Sequence, residues 1–164
     1  MSGSGKQIIF LCTGNVCRSP MAEGIARRIF SDYKLQNYSF ESFGTLDIGN
    51  SSPSDYAIRV CEKNHIDISS HRSQQIDFVS ADNADVILVM EEEHKRWLEK
   101  RFGEKILDKT FLITEYGSEG DEHSEIDDPI GLDYDSYKNI FDKLYSEIER
   151  IAKFELSKSK EMVE

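Results

Sequence analysis

The residues best able to do chemistry together lie in one short run, Cys12-Thr-Gly-Asn-Val-Cys-Arg-Ser-Pro20. A cysteine followed six positions later by an arginine pairs a nucleophile with an oxyanion binder. Gly14 and Asn15 can take positive φ and curve the chain, so that backbone N–H groups converge on one point beside a helix N-terminus, which favours an anion. Cys12, at the start of the curve, would face that point. The converging donors, the helix end and Arg18 all stabilise its thiolate, the form that attacks. Arg18 offers a planar fork to two oxygens of a tetrahedral oxyanion. The Ser19 hydroxyl can hydrogen-bond the sulfur and later stabilise it as a leaving group. Thr13, Gly14, Asn15, Val16, Cys17, Arg18 and Ser19 are therefore expected to cradle a phosphate, with Cys12 at its base. The blander alternative is a buried cysteine ending a strand and an unrelated surface arginine.

Such a run works only if a strand and a helix hold it. Gln7–Cys12 is short, β-rich and nearly all apolar, as a buried strand should be. From Pro20 the positions Ala22, Ile25, Ala26, Ile29 and Phe30 share one helical face. Ser39–Phe43 alternates like a strand and ends at Gly44. Pro53 opens a helical segment with Ala57, Val60 and Cys61 inward, Asn64 continuing that side. Asp85–Met90 is the strongest strand pattern, followed by a charged helix to about Phe102. Lys109–Ile113 reads as a fourth strand. Asp135 or Ser136 caps a last helix whose stripe is Tyr137, Phe141, Leu144, Tyr145, Ile148 and Ile151. Alternating strands and helices imply an α/β fold, a three-layer arrangement of a four-stranded parallel sheet flanked by helices on both faces. Ligands of such sheets bind beyond the carboxyl ends of the strands, where Cys12–Pro20 lies.

The chain has 164 residues, 38% hydrophobic and 31% charged, which suits one globular domain, expected over residues 7–156 with flexible termini at 1–6 and 157–164. The net charge is −11, with acid concentrated at Glu119, Asp121, Glu122, Glu125, Asp127 and Asp128. That field repels nucleic-acid phosphates and anionic lipid. No apolar run approaches the ~20 residues of a membrane helix, and the polar N-terminus has no signal-peptide core. Three cysteines argue for a reducing compartment, so a cytoplasmic protein is expected. His65, His94 and His123 share no metal-ligand spacing, and neither metal nor cofactor is expected. Gly3-Ser-Gly-Lys6 precedes the strand and reads as a linker rather than a nucleotide loop. Trp97 is expected to pack.

Cys12–Pro20 closely resembles the phosphate-binding loop of the low-molecular-weight protein tyrosine phosphatases. The resemblance runs from Ile8 to about Glu155 and includes Ser42-Phe-Gly-Thr45, Ile68-Ser-Ser-His-Arg-Ser73, Ala84–Met90 and Asp128-Pro129. It implies that Cys12 attacks phosphorus to form a phosphocysteine, that Arg18 binds the phosphoryl oxygens, and that Ser19 favours the thiolate. It also implies that Asn15, Ser42 and His71 join Ser19 in supporting the loop. The leaving group needs a proton and the second step needs water deprotonated, and one carboxyl group at the mouth can do both. Asp127 and Asp128 are the candidates; the resemblance selects Asp128. In the family the residue matching Cys17 can form a protective disulfide with the nucleophile; the alternative is plain packing. The implied partners are a phosphorylated protein and a cognate kinase, and the implied state is a monomer or weak dimer.

The chain departs from many family members in having Ile130 and Gly131 after Asp-Pro, and Asp47 and Ile48 where eukaryotic members carry an aromatic residue. Tyr134 is the nearest aromatic. A bacterial subgroup of this fold dephosphorylates phosphoarginine, and Glu92-Glu-His-Lys95, Thr110–Gly117 and Asp128-Pro-Ile-Gly131 resemble it. Its marker is threonine where this chain has Val16, whereas larger aliphatics accompany phosphotyrosine. The apolar Val16 favours phosphotyrosine; the acidic loop suits a guanidinium. Arsenate reduction would need further cysteines, and none occurs between His71 and Met90. A non-catalytic phosphate-binding module would be expected to lose the nucleophile or the acid, and Cys12, Arg18 and Asp128 are all present.

Overall fold

The computed structural model describes residues 5–163. Most of the N-terminal segment expected to be flexible, 1–4, and the last residue lie outside that range. The elements run β1 (Lys6–Cys12), α1 (Arg18–Asp32), β2 (Tyr38–Gly44), α2 (Asp55–Lys63), α3 (Phe78–Asn83), β3 (Val86–Val89), α4 (Glu92–Phe102), a 3-10 turn (Glu104–Lys109), β4 (Thr110–Leu112) and α5 (Tyr134–Val163). The four strands form one parallel sheet in the order β2-β1-β3-β4. Cys12 pairs with Gly44 and Leu11 with Val89, so the carboxyl ends of β1, β2 and β3 finish at one edge.

The period-two alternation of β1 decides which layer each side chain joins. Ile8, Phe10 and Cys12 enter the core beneath α1 and α5, with Met21, Ile25, Ile29, Phe141, Leu144 and Ile148. Ile9 and Leu11 enter the opposite core, with Ile87, Val89, Leu98 and Leu112. The parity that buries Phe10 therefore also sends the Cys12 thiol to the α1 side.

Several boundaries differ from the sequence reading. Helix α1 begins at Arg18 rather than Pro20, so only Thr13–Cys17 connects strand to helix. Helix α2 begins at Asp55, because Ser54 is extended (φ −61°, ψ 150°). The cap of α5 is Asp133, not Asp135 or Ser136: its Oδ1 accepts the Ser136 backbone N–H at 3.0 Å and the Ser136 hydroxyl at 2.7 Å. Helix α5 continues through the 157–163 stretch expected as a tail. Lys6 is no loose end either: its N–H donates to the Asn37 carbonyl at 2.7 Å, and its Nζ lies 2.5 Å from Glu155. Tyr145 and Asn64, expected on inward stripes, are exposed. The short α3 carries no periodic signal and was not anticipated; Asp77 caps it by accepting the Ser80 N–H at 2.8 Å.

Candidate active site

Cys12 closes β1 with its thiol buried and the chain turning sharply behind it. Of the two residues expected to curve the loop, only Asn15 has positive φ (58°); Gly14 does not. Left-handed backbone at a non-glycine residue is strained, and four contacts hold this one. Asn15 Nδ2 donates to Ser19 Oγ at 2.7 Å and to Ser42 Oγ at 3.1 Å, while its Oδ1 accepts the Gln74 N–H at 3.0 Å. Its carbonyl lies 3.0 Å from His71 Nε2, which must carry the proton because a carbonyl only accepts. The result aims the Asn15 N–H at Cys12 Sγ (3.3 Å), with Ser19 Oγ 2.9 Å from the same sulfur. Gly44 is needed opposite, since a Cβ there would lie 2.7 Å from the Thr13 carbonyl.

Glu23 was missed by the sequence reading. Its Oε1 accepts the Ser42 hydroxyl at 2.7 Å. A carboxylate cannot donate, so the Ser42 proton is committed to Glu23 and its oxygen must accept from Asn15. The carboxylate thereby sets the direction of the whole chain Glu23–Ser42–Asn15–Ser19. Glu23 itself is held by Arg27 one helical turn on, at 2.6 Å.

Arg18 is 1% exposed, an extreme for so long a cation. Its Nη1 donates to Glu91 Oε2 at 2.6 Å and to the Ile126 carbonyl at 2.8 Å. Its Nη2 lies 3.4 Å from both Thr13 Oγ1 and Asp128 Oδ2. Glu91 was the second residue missed, though its place directly beyond β3, at the carboxyl edge of the sheet, was a usable signal. His94, read for metal spacing and as part of Glu92-Glu-His-Lys95 but given no role at the site, is the third. Its Nδ1 accepts the Glu91 N–H at 3.1 Å, which leaves Nε2–H to donate to Thr13 Oγ1 at 3.0 Å.

Burial, reinforced by the nearby Arg18 charge, pushes the His94 pKa down to about 4, so the ring is neutral at pH 7. Its 3.7 Å approach to Glu91 Oε2 is then no ion pair. The linkage sign follows directly. Between pH ~6.5 and ~4 the unfolded chain takes up a proton at this imidazole that the folded protein excludes, so stability falls as pH is lowered through that window, by about 3 kcal/mol for this group. Urea unfolding of the wild type and of His94→Gln at pH 7 and pH 4 checks it. The variant is expected to be less stable at pH 7 and to lose less on acidification; equal losses would remove His94 as the cause.

Cys17 Sγ lies 3.3 Å from both Ser54 Oγ and the Tyr137 hydroxyl. Burial pushes its thiol up, against those hydrogen bonds, so it stays protonated at neutral pH. Cys61 is buried in the apolar core, its thiol pushed up to about 12, as packing requires. All three cysteines are free.

Cys12, Thr13, Gly14, Val16, Cys17 and Arg18 floor a cavity of about 220 Å³ walled by Ile48, Asp128 and Ile130. Asp128 stands at the mouth, where its Oδ1 accepts the Ile130 N–H at 3.1 Å. Asp127 is exposed and does not line the cavity. Neither does Tyr134, whose ring packs edge-on to Tyr56 at 5.7 Å beneath Lys63. Among the described residues no aromatic ring lines the cavity. Among the described residues no cluster of three His, Cys, Asp or Glu side chains could hold a metal, and no helix is long and apolar enough to cross a membrane.

The family profile described as "Low molecular weight phosphotyrosine protein phosphatase" matches residues 7–162. The low molecular weight protein-tyrosine-phosphatase PtpB of Staphylococcus aureus is 36% identical over 141 residues, covering 85% of this chain and 92% of that protein. The protein-arginine-phosphatase of Bacillus subtilis is 35% identical over 148 residues, 89% of this chain and 94% of that one. Among solved structures, the YwlE arginine phosphatase of Geobacillus stearothermophilus superposes with a TM-score of 0.85 at 31% identity, over 95% and 96% of the two chains.

Proposed function

The chain belongs to the low molecular weight phosphotyrosine protein phosphatase family and is a protein phosphatase; from that premise we propose that it hydrolyses phosphotyrosine in proteins through a phosphate ester of Cys12. One observation carries the reading. A buried Cys12 Sγ faces the Asn15 N–H (3.3 Å) and the Ser19 hydroxyl (2.9 Å) on the floor of a cavity that has Asp128 at its mouth.

Arg18, braced by Glu91 and Ile126, holds two phosphoryl oxygens so that the sulfur stands in line with the leaving oxygen. The thiolate forms the S–P bond as the P–O bond breaks, and Asp128 gives its proton to the departing oxygen. Water then attacks phosphorus and Asp128 takes its proton. The S–P bond breaks, returning the thiolate and releasing inorganic phosphate. Ser42, His71, Glu23 and the Asn15 side chain act only by holding the loop, while the Asn15 N–H faces the sulfur.

Matched phosphotyrosine and phosphoarginine peptides, assayed for kcat/KM under reducing conditions with Cys12→Ser as blank, test the reading. Phosphotyrosine preference is expected, supported by Val16, which lines the cavity and offers a guanidinium no hydrogen bond. Phosphoarginine is the second reading, favoured by the cavity walls, which give no ring to stack on, and by the arginine phosphatases among the similar proteins. Because Val16 lines the cavity, Val16→Thr is expected to shift the ratio of the two rates by about tenfold toward phosphoarginine, the worth of one well-made hydrogen bond. An unchanged ratio would remove Val16 as the filter.

A thiolate mechanism fits a reducing, cytoplasmic setting, with a kinase supplying the substrate and the enzyme acting as a monomer or weak dimer. Cys17 lines the same cavity as Cys12, so we assign it as a reserve partner. Hydrogen peroxide would oxidise the two thiols to a disulfide, leaving two waters. Peptide mapping after peroxide treatment should find a Cys12–Cys17 link that dithiothreitol reverses; overoxidised Cys12 with Cys17 still free would refute it.

A further inference from the structure

The cavity mouth carries an unusual surface. Large hydrophobic side chains left exposed are few among the described residues. Four of them, Leu46 (50% exposed), Ile48 (42%), Ile130 (53%) and Leu132 (55%), sit on the two segments that border this cavity. Ile48 and Ile130 form its walls. Leu46 and Leu132 lie two residues along the chain from Ile48 and Ile130, each on anchored backbone: the Leu46 N–H donates to the Thr13 carbonyl at 3.0 Å and the Leu132 N–H to the Pro129 carbonyl at 2.9 Å. Aliphatic side chains gathered in water around a pocket mark a surface that meets apolar groups. Every charged residue on the same two segments is a carboxylate: Asp47, Asp127, Asp128 and Asp133.

We infer that this rim reads the sequence around the phosphorylated residue, taking an extended, unfolded segment with an aliphatic side chain beside the phosphoresidue and lysine or arginine further out. The inference rests on the phosphatase reading above and specifies its substrate class. The phosphoresidue fills the cavity, which lies deep enough that Cys12 is buried, so its neighbours in the chain must cross the rim. A folded surface presents aliphatic neighbours poorly, because they are turned into its own core. The carboxylates favour cationic flanks and disfavour acidic ones, and they set the rate of encounter.

The test uses the full chain and peptides built on whichever phosphoresidue it prefers, with leucine or serine on both sides and lysine or glutamate two positions further out. Para-nitrophenyl phosphate, which has no flanks, is assayed alongside. Leucine flanks are expected to raise kcat/KM about tenfold over serine, as burial of an exposed aliphatic pair implies. Lysine should exceed glutamate severalfold in low salt, the gap closing as salt is raised. In Leu46→Ser/Leu132→Ser the leucine preference should vanish. Equal rates on leucine and serine peptides, or a preference that survives in the double variant, would overturn the inference. So would peptide turnover per molecule that falls with enzyme concentration, which would mean that a second copy covers the rim. Failure to turn over para-nitrophenyl phosphate at all would instead overturn the phosphatase reading beneath it.

Discussion

Cys12→Ser is expected to lower turnover of para-nitrophenyl phosphate and of phosphopeptides by at least ~10⁴-fold while leaving the fold and phosphate binding in place. Sulfur is the better nucleophile toward phosphorus, whereas a serine hydroxyl in the same place attacks poorly. Nothing else needs to move. Serine fills the space of the sulfur, the Asn15 N–H and the Ser19 hydroxyl still find an oxygen, and the chain from Glu23 to Ser19 runs behind the nucleophile. Arg18 keeps its brace from Glu91 and Ile126. Calorimetric titration with inorganic phosphate should therefore give a Kd within a few fold of the wild type, and the melting temperature should shift by only ~2 °C. Residual turnover above one per cent would place the nucleophile elsewhere. Lost phosphate binding would mean that the thiol also supports the loop.

Asp128→Asn is expected to lower kcat by about 10²–10³ on phosphopeptides, within the range a positioned proton donor contributes. The substitution is nearly isosteric, and the amide oxygen can still accept the Ile130 N–H as Oδ1 does now. What disappears is the transferable proton and the 3.4 Å charge contact with Arg18. The two chemical steps should respond differently. Para-nitrophenolate leaves without much help, so formation of the phosphoenzyme from that substrate should be less impaired than its breakdown, which still needs a base for water. A burst of para-nitrophenol with the covalent intermediate accumulating is the expected signature. A uniform slowing with no burst would mean that Asp128 does not serve the second step, and an equal loss in Asp127→Asn would reopen the choice between the neighbours. Asp128 lines the cavity, whereas Asp127 does not.

Legibility followed the range of the interaction. The stripes Ala22–Phe30 on α1 and Phe141–Ile151 on α5 could be read because helical periodicity is written within a few turns, and all their members but Tyr145 are buried. The strands β1, β2, β3 and β4 were each visible to within a residue or two. Element ends were harder. The Asp133 cap lies one turn before Ser136, and both Asp135 and Ser136 are equally good caps by residue type. Helix α3, only six residues long, has no period to detect. At the site, Cys12, Arg18 and Ser19 could be found together because one tight loop carries them. Ser42 and His71 were reachable only through resemblance. Glu23 looks like any solvated helix acid until Ser42, 19 residues away, is placed beside it. Tyr134 was the nearest aromatic along the chain, yet its ring packs with Tyr56 away from the cavity.

The sequence by itself determined the alternation of strands and helices and a nucleophile–guanidinium loop at the end of β1. Those are local properties, set by side-chain period and by a spacing within one turn of chain. Only the tertiary structure decided that Glu91, 73 residues from Arg18, braces the guanidinium, that His94 stays neutral beside Thr13, and that two distant segments ring the cavity with aliphatic side chains. The parallel sheet brings the ends of β1 and β3 to the same edge, and burial then changes what the assembled groups are worth: charges pair, an imidazole gives up its proton, and a strained Asn15 is held by neighbours that no local pattern could name.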